Sequence, residues 1–438
     1  MQKPEVVVIG GGIAGLAAAT FLARQGKSVV LLERSPALGG RAQTQKQDGF
    51  LLNLGPHALY RGGRGIEILR ELGVEPRGAA PPVSGGFAIH RGAKHTFPAG
   101  PVSMMTTGLF GLPAKLEAGR LLASLKKIDG NAVMSLTVRE WADRHISHPD
   151  VRALVHATFR LATYTNAPDH MSAGTAIEQL KLALDKNVLY LDGGWQTLVD
   201  GLHQAAQRAG VVMRTNAKAE AVERNPAGAV QAVRLAGGEV CHATNVVIAA
   251  SPPVAASLLL NGPRSALHQW ANEAIPVKAA CLNLALRRLP NPKATFALGI
   301  DQPLYLSVHS AVARLAPDGG AMIHVAKYLS PEHDGDTNRV ERELENALDI
   351  VQPGWRELVV HRRFLPEMTV YNALTTAQRD GVRGRPGPEV PDVPGLFVVG
   401  DWVGKEGLLV DASLASAKEV SGSRFQVSGE CQNLKVET

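Results

Sequence analysis

Short apolar runs and longer mixed segments alternate along this chain. Residues 6–9 (VVVI) are continuous and mostly β-branched, the pattern of a strand buried on both faces. Residues 14–24 follow with good helix formers and no proline, so a helix is expected there. Residues 28–32 (SVVLL) make a second buried strand by the same criterion. Far along the chain, residues 396–399 read as another such strand, and a helix of small residues runs from Ala412 onward. Between these ends, residues 98–187 are mostly helical in pattern. Thr137 with Glu140 three positions later has the spacing of a capping box. Residues 230–251 read as a hairpin turning at Gly237 and Gly238, then a strand. Residues 276–329 hold several strand-like runs, 338–350 a helix and 358–364 a further strand. No internal repeat or low-complexity tract interrupts them. The polar stretch from about Val427 reads as a loose tail.

The junction between the first strand and helix carries the first chemistry. Gly10 allows a sharp turn, Gly12 lets backbone approach a pyrophosphate, and Gly15 lets the helix pack close to the strand. The helix N-terminus offers free N–H groups and positive dipole to phosphates. Glu33 ends the second strand, 18 residues after Gly15, where a carboxylate accepting ribose hydroxyls belongs. Strand, glycines, helix, strand and acid stand in order, so this is a dinucleotide-binding unit rather than a bare glycine turn.

Composition narrows the class. The 438 residues and 46.5 kDa suffice for a large core divided between two domains. Net charge is +6, but the basic residues are scattered and no run of five or more appears, which argues against nucleic-acid binding. Cys241, Cys281 and Cys431 are far apart, so neither a metal site nor a disulfide framework is expected. The chain opens directly into its first strand, and no apolar stretch reaches membrane-spanning length. A cytoplasmic protein is the expectation.

The residues beyond Glu33 discriminate between dinucleotides. Arg34 follows it, and Gly39, Gly40 and Arg41 form a second glycine turn with an arginine that can wrap a pyrophosphate from its other side. Residues 49–60 form a short strand entering Gly55-Pro56-His57, where a glycine would admit a flat ring. Residues 396–399 end in Gly400-Asp401 before the helix that contains Ala412. Together with the glycine pair, helix and strand of residues 190–223, these segments resemble the flavin-containing amine oxidase superfamily. That group includes amine oxidases, protoporphyrinogen oxidases and phytoene-type desaturases. The resemblance implies FAD. Carried over by position, Gly10, Gly12, Gly15, Gly400 and Asp401 would lie at the phosphates and Glu33 at the ribose. Gly39, Gly40 and Arg41 would hold the pyrophosphate, Ala219 the adenine, and Gly55, Pro56, His57 and Ala412 the flavin. Asn53 departs from the pattern, since relatives often carry an acid there. The implied architecture is α/β. A discontinuous Rossmann-like FAD-binding domain spans 1–97, 188–262 and 384–425, and an α+β substrate domain spans 98–187 and 263–383. The latter would hold an antiparallel sheet with a helical insertion, and residues 426–438 would form the C-terminal tail.

No triad or metal cluster stands out, as suits chemistry in which the cofactor accepts the hydride. His57 reads either as polarising the flavin or substrate or as bonded to backbone. Lys278 is a candidate because many relatives hold a lysine over the flavin. Tyr305 and His309, four apart, would face one side of a strand. Trp402 and Tyr371 are weaker candidates to line the site. The aromatic cage that amine oxidases place before the final helix is missing from residues 407–411, and aromatics make up only 5% of the chain. An aliphatic pocket and an apolar, isoprenoid-like or cyclic substrate are therefore expected, dehydrogenated by hydride transfer to flavin. The alternatives are an amine or amino-acid oxidase producing peroxide, and a flavin-free prenyl-lipid binder of the GDP-dissociation-inhibitor type. No second dinucleotide motif occurs, so the electrons would pass to oxygen, a quinone or a carrier. Residues 101–127 read either as an interfacial amphipathic helix giving peripheral membrane contact or as a core-packing helix.

Overall fold

The structure is a computed structural model that describes residues 3–259, 265–333 and 335–426. The elements that position the site run, in chain order, β1 (Val6–Ile9), α1 (Ile13–Arg24), β2 (Val29–Leu32), α2 (Arg64–Glu71), β3 (Phe87–His90) and β4 (Ala93–Thr96). Five helices follow: α3 (Pro101–Thr106), α4 (Leu112–Leu125), α5 (Val138–His145), α6 (Pro149–Thr163) and α7 (Ala173–Lys186). Then come α8 (Gln196–Arg208), β5 (Val212–Arg214), β6 (Asn245–Ile248), β7 (Val277–Leu286), β8 (Phe296–Gly299), β9 (Leu304–Val308) and β10 (Ala321–Tyr328). The last are α9 (Thr337–Val351), β11 (Val359–Tyr371), β12 (Leu396–Val398) and α10 (Leu409–Ser421).

The apolar runs at both ends of the chain meet in one parallel sheet of order β5-β2-β1-β6-β12. Val6–Ile9 is wholly buried, because helices cover one face and the hairpin of residues 219–242 packs on the other. Alanines 17, 18 and 19 let α1 sit close against the sheet and α10. Burying Leu16 and Leu22 from the same helix contributes on the order of 2 kcal/mol each. The chain turns opposite ways from β1 to β2 and from β1 to β6, so a crevice opens beyond the C-terminal end of β1, where open α/β sheets bind ligands.

A seven-stranded sheet, β11-β7-β10-β9-β8-β3-β4, forms the second body. It is antiparallel except for the pair β3 and β8. The helices α3 to α7 build a separate apolar cluster against its β8 end, and α9 covers its other face. Residues 87–96, expected with the dinucleotide-binding part, belong to this sheet through Phe87 opposite Ala297. The last strand is also longer than the 358–364 expected and runs through Pro366 to Tyr371. Proline is tolerated because β11 is an edge strand, with its register shifted between the partners of Ala279 and Cys281. The capping box at Thr137 and Glu140 forms as its spacing requires. The expected tail lies outside the described residues, apart from Gln426.

Candidate functional site

Gly10 closes β1 with φ +110°, and a Cβ there would lie 2.5 Å from the Ala249 carbonyl oxygen. A Cβ on Gly15 would lie 1.9 Å from the Gly10 oxygen, so this glycine serves helix-to-strand packing. Gly12 is different. A Cβ there would meet nothing nearer than 4.0 Å, and one on Gly40 nothing nearer than 3.8 Å. These two glycines keep a groove open rather than fill a packed space. Gly39 N–H donates to the Gly11 carbonyl at 2.8 Å, which joins the two glycine turns. Glu33, buried at the end of β2, accepts from Gly11 N–H at 2.7 Å and from Ser35 N–H at 2.8 Å. Ala217 N–H donates to the Glu33 backbone carbonyl at 2.8 Å, two residues before Ala219. Arg34 points to solvent.

Asp401 follows β12 and is 2% exposed, yet it is fully engaged. One oxygen meets Arg41 Nη2 at 2.6 Å, and the other accepts from the backbone N–H and side-chain amide of Asn372. Arg385, buried, donates to the carbonyls of Asp401, Glu406 and Gly407 and so fixes the loop that leads to α10. Sequence reasoning missed Asn372 and Arg385, which lie in segments with no motif of their own. It also placed the start of α10 too late. The helix begins at Leu409, after Gly407 (φ +62°) turns the chain, so Ala412 lies one turn in and Leu409 and Val410 stand at the N-terminus. Leu409 itself has φ +57°, a conformation costing a non-glycine residue roughly 1 kcal/mol and found preferentially at functional sites.

At the turn expected to face the flavin, Gly55 takes φ +87° and a Cβ there would meet the end of Met368 at 2.7 Å. Pro56 is buried, and His57 is half-buried with Nδ1 3.1 Å from the Gly55 carbonyl oxygen. Its ring lies 4.8 Å from that of Trp195. Burial lowers the His57 pKa to about 4, and the Arg41 charge adds to this, so the ring is neutral at physiological pH. Asn53, in place of an acid, accepts from the Thr44 hydroxyl at 2.6 Å and from Trp195 N–H at 3.2 Å. It ties this turn to the start of α8.

The proposed reactive side chains separate. Lys278 leaves the site: it is 39% exposed and pairs with Glu367 on the edge strand. Trp402 donates Nε1–H to the Ala250 carbonyl and packs edge-on to Trp270, beneath the turn rather than over a cofactor. Tyr371 is buried with its hydroxyl 2.5 Å from that of Thr165. Tyr305 and His309 do come together, with Tyr305 OH 3.4 Å from Nε2 of His309, although His309 stands just past the end of β9. Tyr190, missed by sequence reasoning, stacks on His309 with ring centroids 3.8 Å apart. Its hydroxyl reaches Ser307 at 3.1 Å and Tyr305 at 3.3 Å.

Tyr190, Tyr305 and Ser307 line a cavity of about 310 Å³. Ala58 and Tyr60 place it directly beyond His57, and α4, α6 and α7 supply most of its outer wall. Among the described residues, no Asp, Glu, Lys or Arg lines it. The expectation of an aliphatic pocket is corrected here. Aromatics are sparse in the chain but Tyr60, Phe97, Trp141, Phe159, Tyr164, Tyr190, Phe296 and Tyr305 all line this space. Strands, helices and connecting segments distant in sequence contribute them, so no single segment displays the concentration.

The family of flavin containing amine oxidoreductases matches residues 13–422. A carotenoid 3,4-desaturase of Haloarcula japonica is 25% identical over 80% of this chain and 81% of its own length. A coproporphyrinogen III oxidase of Bacillus subtilis is 33% identical, but over only 26% of this chain and 28% of that enzyme. Among solved structures, a wild-type putrescine oxidase bound to putrescine superposes with a TM-score of 0.72 at 17% identity, covering 95% of this chain and 98% of that one. At that identity the likeness is one of fold. The groove fits the family's flavin dinucleotide on its own evidence: two glycines open where a pyrophosphate would pass, a helix N-terminus behind them, and a carboxylate at the end of β2.

Proposed function

Because the chain belongs to the flavin containing amine oxidoreductase family, we propose that it is an FAD-dependent oxidoreductase that dehydrogenates an uncharged, apolar small molecule, isoprenoid-like or cyclic. One observation carries the substrate class: the cavity beside His57 has no charged lining residue. A carboxylate or a diamine taken into it would be buried without a counter-ion, at a cost of several kcal/mol. An apolar molecule gains about 25 cal/mol for each Å² it removes from water.

FAD is the cofactor and supplies the hydride acceptor. The chain does the rest. Gly12 and Gly40 leave room for the pyrophosphate, Glu33 receives the ribose, and Arg41, held by Asp401, adds positive charge. His57, neutral and directly preceding the cavity-lining Ala58, adds no charge here, and the apolar walls would exclude water and orient the C–H bond. With FAD bound, the electrons would leave to an external acceptor, oxygen, a quinone or a carrier.

The cavity opens at the surface where Val83, Leu122 and Leu184 are both lining and exposed. Beside them Val102, Met105, Leu112 and Leu116 are exposed too, with Lys115 on the same helix. Peripheral contact with a bilayer, from which an apolar substrate would enter, is part of this reading. No described helix is long and apolar enough to cross a membrane.

A second reading is oxidation of a monoamine, favoured by the ring-lined cavity, since aromatic faces attract cations. Product analysis separates the two. With FAD bound and an acceptor present, a neutral isoprenoid or cyclic substrate should yield a product lighter by two hydrogens. Peroxide and a carbonyl product from amines, with neutral compounds unchanged, would replace the first reading by the second.

A further inference from the structure

The central strands of the large sheet are two-faced. Leu282 and Leu284 of β7, Leu306 of β9 and Ile323 and Val325 of β10 turn one face to α9 in an apolar cluster. The opposite face of those strands is buried as well and mixes apolar positions (Cys281, Ala285, Met322 and Ala326) with polar ones. Asn283, His324 and Ser307 stand opposite one another across β7, β10 and β9. Their exposures are 0%, 0% and 2%. His324 Nδ1 lies 2.6 Å from Asn283 Oδ1, and the His324 ring meets that of His309 edge-on at 4.4 Å. His309 in turn stacks on Tyr190. The row thus extends to a cluster of three cavity-lining hydroxyls, those of Tyr190, Tyr305 and Ser307.

An apolar row would serve the fold better, because each buried polar group costs free energy unless it is fully bonded. This row is not fully bonded. Asn283 Nδ2 and His324 Nε2 are buried without partners among the described residues. Buried polar groups arranged in this way, behind three clustered hydroxyls of the cavity wall, point to a ligand oxygen.

Resting on the apolar-substrate reading above, we propose that the Tyr190, Tyr305 and Ser307 hydroxyls, backed by His309, His324 and Asn283, anchor a neutral oxygen of the substrate, a hydroxyl or carbonyl. Hydroxyls both donate and accept, so either oxygen can join the network. Burial keeps the network uncharged: it lowers the His324 pKa to about 3 and raises those of Tyr190 and Tyr305. A neutral site of this kind discriminates by hydrogen bonds rather than charge. The anchored molecule is therefore apolar along most of its length and oxygenated at one point.

The test is binding to the FAD-loaded protein, read from the flavin difference spectrum. Three ten-carbon probes serve: geraniol, the matching hydrocarbon 2,6-dimethyl-2,6-octadiene, and geranylamine. Geraniol should bind about five- to tenfold more tightly than the hydrocarbon. Tyr305→Phe and Ser307→Ala should each reduce that preference to threefold or less, with hydrocarbon affinity unchanged. Tyr190→Phe gives a third, independent removal of a hydroxyl. Equal affinity for alcohol and hydrocarbon in the wild type, or a preference that survives all three substitutions, overturns the anchor while leaving the apolar-substrate reading intact. Binding of geranylamine alone, or of none of the probes, overturns that reading and the anchor with it.

Discussion

Arg41 and Asp401 lie 360 residues apart in sequence and form a 2.6 Å ion pair across the mouth of the dinucleotide groove. The arginine is half exposed and the aspartate almost fully buried, so the carboxylate fixes the guanidinium rather than the reverse. Removing the guanidinium leaves a buried carboxylate supported only by Asn372. Arg41→Ala should therefore weaken FAD retention by about ten- to a hundredfold, a loss of roughly 1.5 to 3 kcal/mol. Equilibrium dialysis of the holoenzyme measures it. Retention equal to wild type would show that the pair is only a surface contact.

The glycines separate ligand binding from packing. Gly12→Ala should fold with little loss of stability, since its Cβ has space, yet fail to hold FAD because the methyl group enters the groove. Gly15→Ala should instead destabilise the protein outright, because its Cβ would overlap the Gly10 carbonyl. Thermal melts of the FAD-free proteins, paired with FAD titration, distinguish these outcomes. A Gly12→Ala protein that binds FAD normally would place the pyrophosphate elsewhere.

Asp411, in the first turn of α10, accepts from Gly65 N–H at 2.8 Å at the start of α2, and its other oxygen is buried without a partner. Burial raises its pKa to about 7, against about 4 in the unfolded chain. Between those values the unfolded chain has lost this proton and the folded protein keeps it. Stability should therefore fall as pH rises from about 4 to 7, by up to roughly 1.4 kcal/mol per pH unit. Asp411→Asn, which keeps an acceptor for Gly65, removes this slope. Melting temperatures of variant and wild type should diverge in the variant's favour as pH rises from 5 to 8. The neutral histidines oppose the trend below pH 6.5, but they are common to both proteins and cancel. A constant difference would mean that Asp411 is ionised in the fold throughout.

Leu112 and Leu116 lie one turn apart on α4, both exposed. The pair Leu112→Glu and Leu116→Glu should abolish flotation with vesicles containing anionic lipid while leaving FAD content unchanged. Wild-type protein that stays behind when vesicles float would remove the membrane from the reading.

The parts legible in the sequence are those whose chemistry is local. Gly10 to Gly15, Glu33 and Arg41 each act within a few residues of a strand end, so spacing alone locates them. Asp401 was readable for the same reason, but its partner Asn372 was not. The cavity was hidden because its walls come from residues 58–60, 81–125, 141–190 and 295–312, brought together only by the packing of α4, α6 and α7 on the large sheet. The alternation of Cys281 with Asn283 and of Tyr305 with Ser307 is visible along the strands. Period two does not say which face meets α9 and which meets the cavity. Lys278 shows the same ambiguity from the other side: it belongs to that strand and turns outward to Glu367.

The central claim is that an uncharged apolar molecule is oxidised from within this cavity, and anaerobic reduction of the bound flavin tests it most directly. Ala183 lines the cavity away from His57 and is only partly buried, so Ala183→Trp should fill the space without disturbing the FAD groove. A neutral isoprenoid or cyclic compound should bleach the wild-type flavin band. The variant should hold the same amount of FAD, be reduced equally by dithionite, and respond to that compound at least tenfold more slowly. Bleaching by amines alone, or equal rates in wild type and Ala183→Trp, would contradict the account.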